Sequence, residues 1–451
     1  MKSVHISITH GLRIPISGEP EQLIYDGPPV QSVALLGQDY IGMKPSVLVE
    51  QGARVKLGQP IVLDKANPGV VYTSPGSGVV TAINRGAKRA LQSVVIQLEG
   101  NDEEIFTSYR HEELSRLTRD QVRDNLVDSG LWTALRTRPY SKVPSPDTSP
   151  HSIFVTAMDS NPLAPQASRV IREHKDDFFY GLSLISHLTD GHVFLCKALG
   201  EDIPTISAKR LTVAEFSGPH PSGLVGTHIH FLDPVGPKKT VWHLGYQDVI
   251  AFGKLFTTGR IWTERIVAFA GPVVIAPRLI RTRLGARTED LVEEQLEPVR
   301  CRVISGSLLS GHWAIGWATF LGRYHSQLTV LPEGGERTFL GWLSPGPDKF
   351  STLNVFISSF FRNKIFRLNS LEQGSPRAMV PVGVYEDVMP LDILPTPLLR
   401  ALVVKDTDSA QALGCLELDE EDVALCSFVC PSKYNFGPFL RASLEHIERE
   451  G

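Results

Sequence analysis

VVYTSPGSGVVTAI (Val70–Ile83), preceded closely by VEQGARVKLGQPIV (Val49–Val62), decides the reading of the N-terminal part of the chain. Each stretch is a short run rich in β-branched residues, broken by glycine or proline where the backbone must turn, which is the pattern of short antiparallel strands. Together they predict a compact all-β unit over residues 31–105, preceded by an N-terminal segment, 1–30.

The order of glycine, hydrophobic run, Ser74-Pro75 and Gly78-Val79-Val80 resembles the barrel-sandwich fold of biotinyl and lipoyl carrier domains. Such domains present a modified lysine, and Asp64-Lys65-Ala66 is the segment to weigh as its counterpart. Lys65 lies closer to Gly58 than a lipoyl lysine lies to its glycine, and Asn67-Pro68-Gly69 follows as a long turn. The favoured expectation is an exposed, unmodified lysine on a structural module.

Beyond this unit the texture changes, and the fold class expected for the whole is multidomain α/β. Residues 106–255 alternate helix and strand in the manner of a Rossmann-like domain. Helical spacing runs from Glu112 to Leu126, prolines at 139, 144, 146 and 150 interrupt it, and SIFVTAMD (Ser152–Asp159) is a buried-type strand. A strand ending in Asp159-Ser160-Asn161-Pro162 before a helix is the topology of a nucleotide-binding sheet. Yet no GxGxxG opens a helix after a strand and no GxxxxGK[ST] occurs. Phosphate cradling by backbone N–H groups needs those glycines, so a dinucleotide or flavin phosphate is not expected.

RIVAFAGPVVIAPRLIRTRLGARTEDLVEE (Arg265–Glu294) reads as strand, turn at Gly271-Pro272, strand, turn at Gly285, then a helix entered at Thr288 with Glu289 and Asp290 in its first turn. It resembles an SLBB β-grasp module, assigned to residues 256–330, with CRVISGSLLSGHWA (Cys301–Ala314) completing its sheet. Residues 331–385 are expected to add a further β segment. Residues 386–451 form a C-terminal helical domain, with helical runs at Pro397–Asp406, Asp419–Cys430 and Phe439–Glu450.

That last domain carries ALCSFVCPSKYNFG (Ala424–Gly437). Two cysteines followed by proline look like the tail of a ferredoxin cluster-binding run, but a four-iron cluster needs four thiolates. Upstream of Cys426 stand Glu420, Glu421, Asp422, Val423, Ala424 and Leu425, and Cys415 is eleven residues away. The expectation is a degenerate motif in which Cys426 and Cys430 pack as small apolar side chains one helical turn apart.

Composition removes several function classes. With 451 residues the chain exceeds what one core organises. A formal charge of -4 with scattered basic residues excludes nucleic acid as a partner. Five cysteines at irregular spacing fit a reducing compartment rather than a disulfide framework. The longest apolar run, Ile266–Pro277, falls short of the roughly 20 residues a spanning helix needs. MKSVHISITHGLRIPISG has no continuous apolar core, so no secretory signal is expected.

GLRIPISGEPEQ (Gly11–Gln22), VALLGQDYIGMKPSVLVEQG (Val33–Gly52), INRGAKRALQSVVI (Ile83–Ile96), FSGPHPSGLVGTHIHFLDPV (Phe216–Val235) and LDEEDVALCSFVCPSKYNFG (Leu418–Gly437) carry a resemblance that spans nearly the whole chain. They are similar to the A subunit of the bacterial sodium-translocating NADH:quinone reductase (Na(+)-NQR), a family related to the flavin- and cluster-bearing subunit of complex I and to the C subunit of the Rnf complex. The resemblance implies a peripheral subunit on the cytoplasmic side of the inner membrane, associated with quinone handling. It implies a six-subunit complex as partner, especially its membrane-embedded B subunit, together with ubiquinone. It implies no redox cofactor on this chain, whereas the complex uses NADH, flavins, iron–sulfur and ubiquinone. Where the complex I relative seats its flavin on glycines, this chain has SGLWTALRTRPYSK (Ser129–Lys142), with bulky Trp132, Arg136 and Arg138. Sodium translocation falls to the partners, because an ion path must lie inside the membrane. A free-standing oxidoreductase or carrier is the alternative.

No catalytic or metal-ligating residue is assigned. The candidate quinone or partner loop comprises His220, Gly223, Gly226, Thr227, His228, His230 and Asp233, with His228 and His230 on one face of a strand. Three histidines beside a carboxylate also raise a divalent-metal reading, against a loop whose side chains hydrogen-bond its own backbone or a partner. NVFISSFFRNKIFRL (Asn354–Leu368) interleaves Phe356, Phe360, Phe361 and Phe366 with Arg362, Lys364 and Arg367. Core packing with snorkelling cations is the first reading, and docking on a membrane or partner the second.

Overall fold

The structure, a computed structural model, describes residues 2–335, 344–361, 363–372 and 374–450. The N-terminal segment supplies two strands, β1 (Lys2–Ser7) and β2 (Glu21–Asp26), which join two different sheets further along the chain. The barrel follows with β3 (Ser32–Leu36), β4 (Pro45–Val47), β5 (Arg54–Val55), β6 (Pro60–Asp64), β7 (Val71–Thr73), β8 (Gly78–Arg85) and β9 (Leu91–Leu98). These pair as a sheet in the order β3-β9-β8-β5 packed on a second in the order β4-β6-β7. Ile61, Val62, Val80, Val94 and Ile96 fill the space between them. Gly78 is required by close approach: a Cβ there would lie 1.8 Å from the Gln97 carbonyl oxygen. Lys65 is exposed, while Asp64 beside it is held by Tyr72 Oη at 3.2 Å and by the Lys44 and Ala66 amides.

Helix α1 (Arg119–Asp128) starts later than the helical spacing from Glu112 suggests. Thr118 and Gln121 form a capping box that fixes the entry, and the preceding residues make only a 3-10 turn at Leu114–Arg116. Then come β10 (Arg136–Arg138), β11 (Ser152–Ala157), α2 (Ala167–Glu173), α3 (Lys175–Ile185), β12 (His192–Ala198), β13 (Leu211–Ser217), α4 (Val225–Leu232), β14 (Val241–Gly245) and α5 (Tyr246–Thr258). The sheet order is β1-β13-β12-β11-β14-β10, parallel except for β10 at one edge. Its strands are buried on both faces, which is why SIFVTA reads as a continuous apolar run rather than an alternating one.

The β-grasp unit contains β15 (Glu264–Ala270), β16 (Arg278–Arg283), α6 (Thr288–Val292), β17 (Cys301–Ser305), β18 (His312–Trp313) and β19 (Gln327–Pro332). Its sheet runs β18-β17-β19-β15-β16-β2, so the N-terminal segment again supplies an edge. Among the described residues no named strand follows β19 before the helices begin, contrary to the β segment expected over 331–385; this region shows an isolated bridge from Ile16 to Phe366 and a 3-10 turn at Ile357–Phe360. The core-packing reading of Asn354–Leu368 is also overturned. Phe360 is 83 % exposed and Leu353, Val355, Phe361 and Ile365 are exposed with it, leaving Phe366 as the buried phenylalanine of the four. Arg362 lies outside the described residues.

Helices α7 (Val384–Val388), α8 (Pro395–Val404), α9 (Thr407–Ala412), α10 (Glu420–Val429) and α11 (Phe436–Glu450) close the chain. Cys415, Cys426 and Cys430 are buried in their common core with Leu398, Leu402, Val423 and Phe436. Cys430 caps α10, and its Sγ lies 3.0 Å from the Tyr385 hydroxyl. Burial pushes the Cys426 thiol up to about 12. Ile14 and Ile16 of the N-terminal segment reach into this same core.

Candidate functional site

In an open parallel sheet, ligands collect at the carboxyl ends of the strands where the strand order reverses. Successive strands here spread from β11 through β12 to β13 on one side, then return to β14 on the other, so the reversal lies between β11 and β14. A cleft of about 150 Å³ opens at that place. It draws on three units: Asp159, His243 and Tyr246 from the sheet, with Arg136 from its edge; Arg265, Arg323, Tyr324 and His325 from the β-grasp; and Glu421 from α10.

Its charges are arranged unevenly. Asp248 Oδ1 accepts from Arg265 Nη2 at 2.7 Å and from Arg323 Nη1 at 2.9 Å, so one carboxylate serves two guanidiniums. Arg136 lies over the Tyr324 ring, 4.3 Å from its centre, with no ion-pair partner among the described residues. Burial raises the pKa of Asp159, opposed by the Asn161 amide at 2.8 Å and by Ser326 Oγ. Burial drives His325 down to about 3 and His243 well below its ordinary value, with the positive charge of Arg136 adding to both. Both imidazoles are therefore uncharged at neutral pH. Among the described residues, His243 Nε2, Tyr246 Oη, Thr156 Oγ1 and Arg323 Nη2 are buried with no hydrogen-bond partner.

Of the candidate loop residues Gly223 alone borders this cleft, with its neighbours Leu224 and Val225. A Cβ on Gly223 would lie 2.4 Å from the Ser160 amide nitrogen, so only glycine lets the loop close onto the end of β11. Ser160 Oγ accepts from that glycine's amide at 2.8 Å and lies 3.1 Å from His220 Nδ1. Burial lowers His220 to about 4. The strand expected at His228 and His230 is the helix α4, and at about 100° per residue the two point to opposite sides. His228 packs 4.3 Å from the Phe216 ring with Nε2 3.1 Å from the Ser222 carbonyl, and burial lowers it to about 3. His230 faces the helical domain, with Nδ1 2.7 Å from Glu417 Oε2 and Nε2 accepting from the Asp392 amide at 3.0 Å. Thr227 Oγ1 donates to the Pro221 carbonyl at 2.9 Å. Asp233, at the far end of α4, accepts from Ser152 Oγ at 2.6 Å, lies 2.8 Å from His151 Nδ1 and pairs with Lys239. Three histidines on three surfaces do not converge, and among the described residues no group of His, Cys, Asp and Glu is placed to hold a metal ion.

A second polar centre joins the sheet to the helices. Arg138 is completely buried, donating to Asp422 Oδ2 at 2.8 Å, to Glu421 Oε1 at 3.1 Å and to the Glu417 carbonyl at 3.0 Å. Arg441 binds Glu420 Oε1 at 2.7 Å and Asp419 Oδ1 at 2.5 Å. Of the acidic residues upstream of Cys426, Glu421 and Asp422 are thus bound to Arg138, from the Ser129–Lys142 segment, and Glu420 to Arg441. Gly226, in the first turn of α4, makes room for this: a Cβ there would lie 2.2 Å from Asp422 Oδ1. Burial raises Glu420 and Glu421 to about 7, opposed by the guanidiniums; for Asp419 the two arginines overcome burial and hold it well below its ordinary value.

Of the cleft residues, the sequence points to Asp159, Arg136, Gly223 and Glu421 but not to Arg265, Arg323, His243 and Tyr246. VWHLGYQD, a buried strand running through Gly245 into a helix, is the local signal that marks His243 and Tyr246; the arginines come from another unit and have none.

Three family models match the chain: the NqrA N-terminal barrel-sandwich hybrid domain over residues 6–99, the NqrA second alpha/beta domain over 117–261, and the NQRA C-terminal domain, of SLBB type, over 266–315. A barrel-sandwich unit, a parallel α/β sheet and an SLBB β-grasp, followed by helices, define a multidomain α/β protein with NqrA-type domains, in which no described helix is long and apolar enough to cross a membrane. Relatives are similar from end to end. The A subunit of the Na(+)-translocating NADH-quinone reductase of Histophilus somni (strain 129Pt) is 58% identical over 99% of this chain and 100% of its own length. The proteins of that name from Neisseria gonorrhoeae (strain ATCC 700825 / FA 1090) and Pseudomonas aeruginosa are 56% and 58% identical over the same shares. The chain belongs to this NqrA family, the A subunit of the Na(+)-translocating NADH-quinone reductase. A solved NAD+-reducing [NiFe]-hydrogenase in the H2-reduced state aligns over 76% of this chain and 63% of its own, with 12% identity and a TM-score of 0.37.

Proposed function

We propose that this chain is the peripheral, cytoplasmic-side subunit of a six-subunit complex that oxidises NADH, reduces ubiquinone and exports sodium, and that it contributes quinone contact and assembly rather than a redox centre of its own. The observation that carries the reading is the end-to-end identity with relatives that bear the NqrA name. Attachment through partners, the membrane-embedded B subunit foremost, is supported by the exposed apolar segment around Phe360 and Phe361, since a patch of this kind marks an interaction surface. The absence of a cofactor of its own is supported by the setting of Cys426 and Cys430 inside a packed helical core, where burial disfavours the Cys426 thiolate. Quinone contact is assigned to the Pro219–Asp233 segment, whose Gly223, Leu224 and Val225 border the cleft and offer an apolar wall close to polar groups.

Each part has its own test. Phe360→Ser with Phe361→Ser should leave the chain folded and reduce its recovery in the assembled complex; full recovery would reject that surface. Photolabelling of the complex with an azido-ubiquinone should mark the Pro219–Asp233 segment, and labels confined to other subunits would reject quinone contact. The purified chain should show no stoichiometric flavin or iron. A coloured, cofactor-loaded protein would favour a free-standing oxidoreductase instead.

A further inference from the structure

We propose that the cleft at the carboxyl ends of β11 and β14 is a binding site for a small phosphate-type oxyanion, held by Arg136, Arg323 and the first turn of α5. The argument begins with charge. Arg136 faces the cleft with no ion-pair partner among the described residues, and Arg323 and Arg265 share the single carboxylate of Asp248. Glu421, which also lines the cleft, is bound by Arg138. Asp159 is occupied by three hydrogen bonds from Asn161 and Ser326. Three guanidiniums thus line the cleft beside three carboxylates, and of the three Arg136 alone has no ion-pair partner among the described residues.

Helix α5 adds a partial positive charge, at a first turn that also carries Asp248. It is 13 residues long, it begins at the cleft, and its N-cap, Gly245, has no side chain to cap the first N–H groups. A Cβ on Gly245 would meet nothing within 4 Å, so space lies beside the helix start. A helix N-terminus carries roughly half a positive charge and unsatisfied donors.

The independent observation is the set of orphaned polar atoms. Arg323 Nη2, His243 Nε2 and Tyr246 Oη are buried without hydrogen-bond partners among the described residues, on residues that all line this one cleft. Leaving a buried polar group unsatisfied costs about 1–3 kcal/mol, and an oxyanion offers acceptors to each of them.

Size limits the ligand. The volume of about 150 Å³ is comparable to a cavity that takes up one benzene. That holds a five-heavy-atom oxyanion with a short substituent and excludes a dinucleotide. Donors on three separate elements suit a tetrahedral oxyanion with three or four acceptor oxygens better than a planar carboxylate with two. Arginines here take the part that a glycine-rich loop plays elsewhere, so the missing phosphate-loop motif does not argue against the site.

The test is titration calorimetry of the full chain at fixed ionic strength, with inorganic phosphate, glycerol phosphate and acetate as separate arms. Saturable heat is expected with phosphate or with its ester, the tighter of the two identifying a free or an esterified source, and none with acetate. Arg136→Gln should weaken binding at least tenfold, and Tyr246→Phe, which keeps the ring and removes only the orphaned hydroxyl, severalfold. Circular dichroism would check that both variants fold. No saturable binding in either phosphate arm, acetate binding as tightly as phosphate, or unchanged affinity in Arg136→Gln would overturn the proposal. It does not rest on quinone contact, and failure of the photolabelling leaves it standing.

Discussion

Arg138→Met removes the charge that holds the α/β sheet to the helical domain while keeping most of the side-chain volume. The guanidinium is fully buried and makes three hydrogen bonds, at 2.8, 3.0 and 3.1 Å, to Asp422, the Glu417 carbonyl and Glu421. Breaking a buried ion pair from one side costs roughly 3–5 kcal/mol, because the opposite charges stay buried without compensation. Asp419 and Glu420 would keep Arg441, while Glu421 and Asp422 would lose their guanidinium partner. Protonation offers partial relief. Glu420 and Glu421 already titrate at about 7 in the folded protein against an ordinary 4.5, raised chiefly by burial. A carboxyl group whose folded pKa lies above its unfolded value contributes stability that is lost as pH rises through that window. The variant's deficit should therefore be largest at pH 8 and smaller at pH 6. Hydrogen exchange read by mass spectrometry is the assay, since a multidomain chain has no single unfolding free energy. Amides of β10 and α10 should exchange on the order of a hundred- to a thousandfold faster in Arg138→Met at pH 8, after correction for the intrinsic rate. Unchanged protection there, or a larger deficit at pH 6 than at pH 8, would refute the reasoning.

Gly78→Val should destabilise the barrel by about 3 kcal/mol or more, since its Cβ would lie 1.8 Å from the Gln97 carbonyl oxygen in the adjoining strand; melting of the isolated chain would show it. Gly226→Ala should push Asp422 from the first turn of α4 and weaken the same contact as Arg138→Met, so the two substitutions combined should cost less than their sum in hydrogen exchange. Cys426→Ala with Cys430→Ser should cost about 1 kcal/mol for each lost sulfur and leave NADH:quinone turnover of the assembled complex largely intact. Serine at 430 keeps a polar partner for the Tyr385 hydroxyl, which alanine would leave stranded. Collapse of turnover together with loss of bound iron would overturn the degenerate-motif reading.

Local content is legible along the chain without any tertiary information. Glycine-punctuated β runs mark the barrel, the buried strand Ser152–Ala157 marks a parallel sheet, Gly271-Pro272 and Gly285 mark the turns of the β-grasp, and helical runs end the chain. These features can be read because a turn residue or an apolar period acts over a few neighbouring positions. Where the pieces meet was settled by tertiary packing alone. It sent β1 and β2 of one short segment into two different sheets, because parallel edge strands are chosen by the vacancies that other units leave. It turned His228 and His230 to opposite faces, because α4 rather than a strand makes the crossover to β14. It left Phe360 and Phe361 outside, where an apolar sequence by itself reads as core. The cleft and the Arg138 centre bring together residues from distant parts of the chain, Arg136 with Glu421 in the one and Arg138 with Asp422 in the other. No pattern along the chain encodes such a meeting, because it is set by the strand order of the sheet and by the packing of the units against one another.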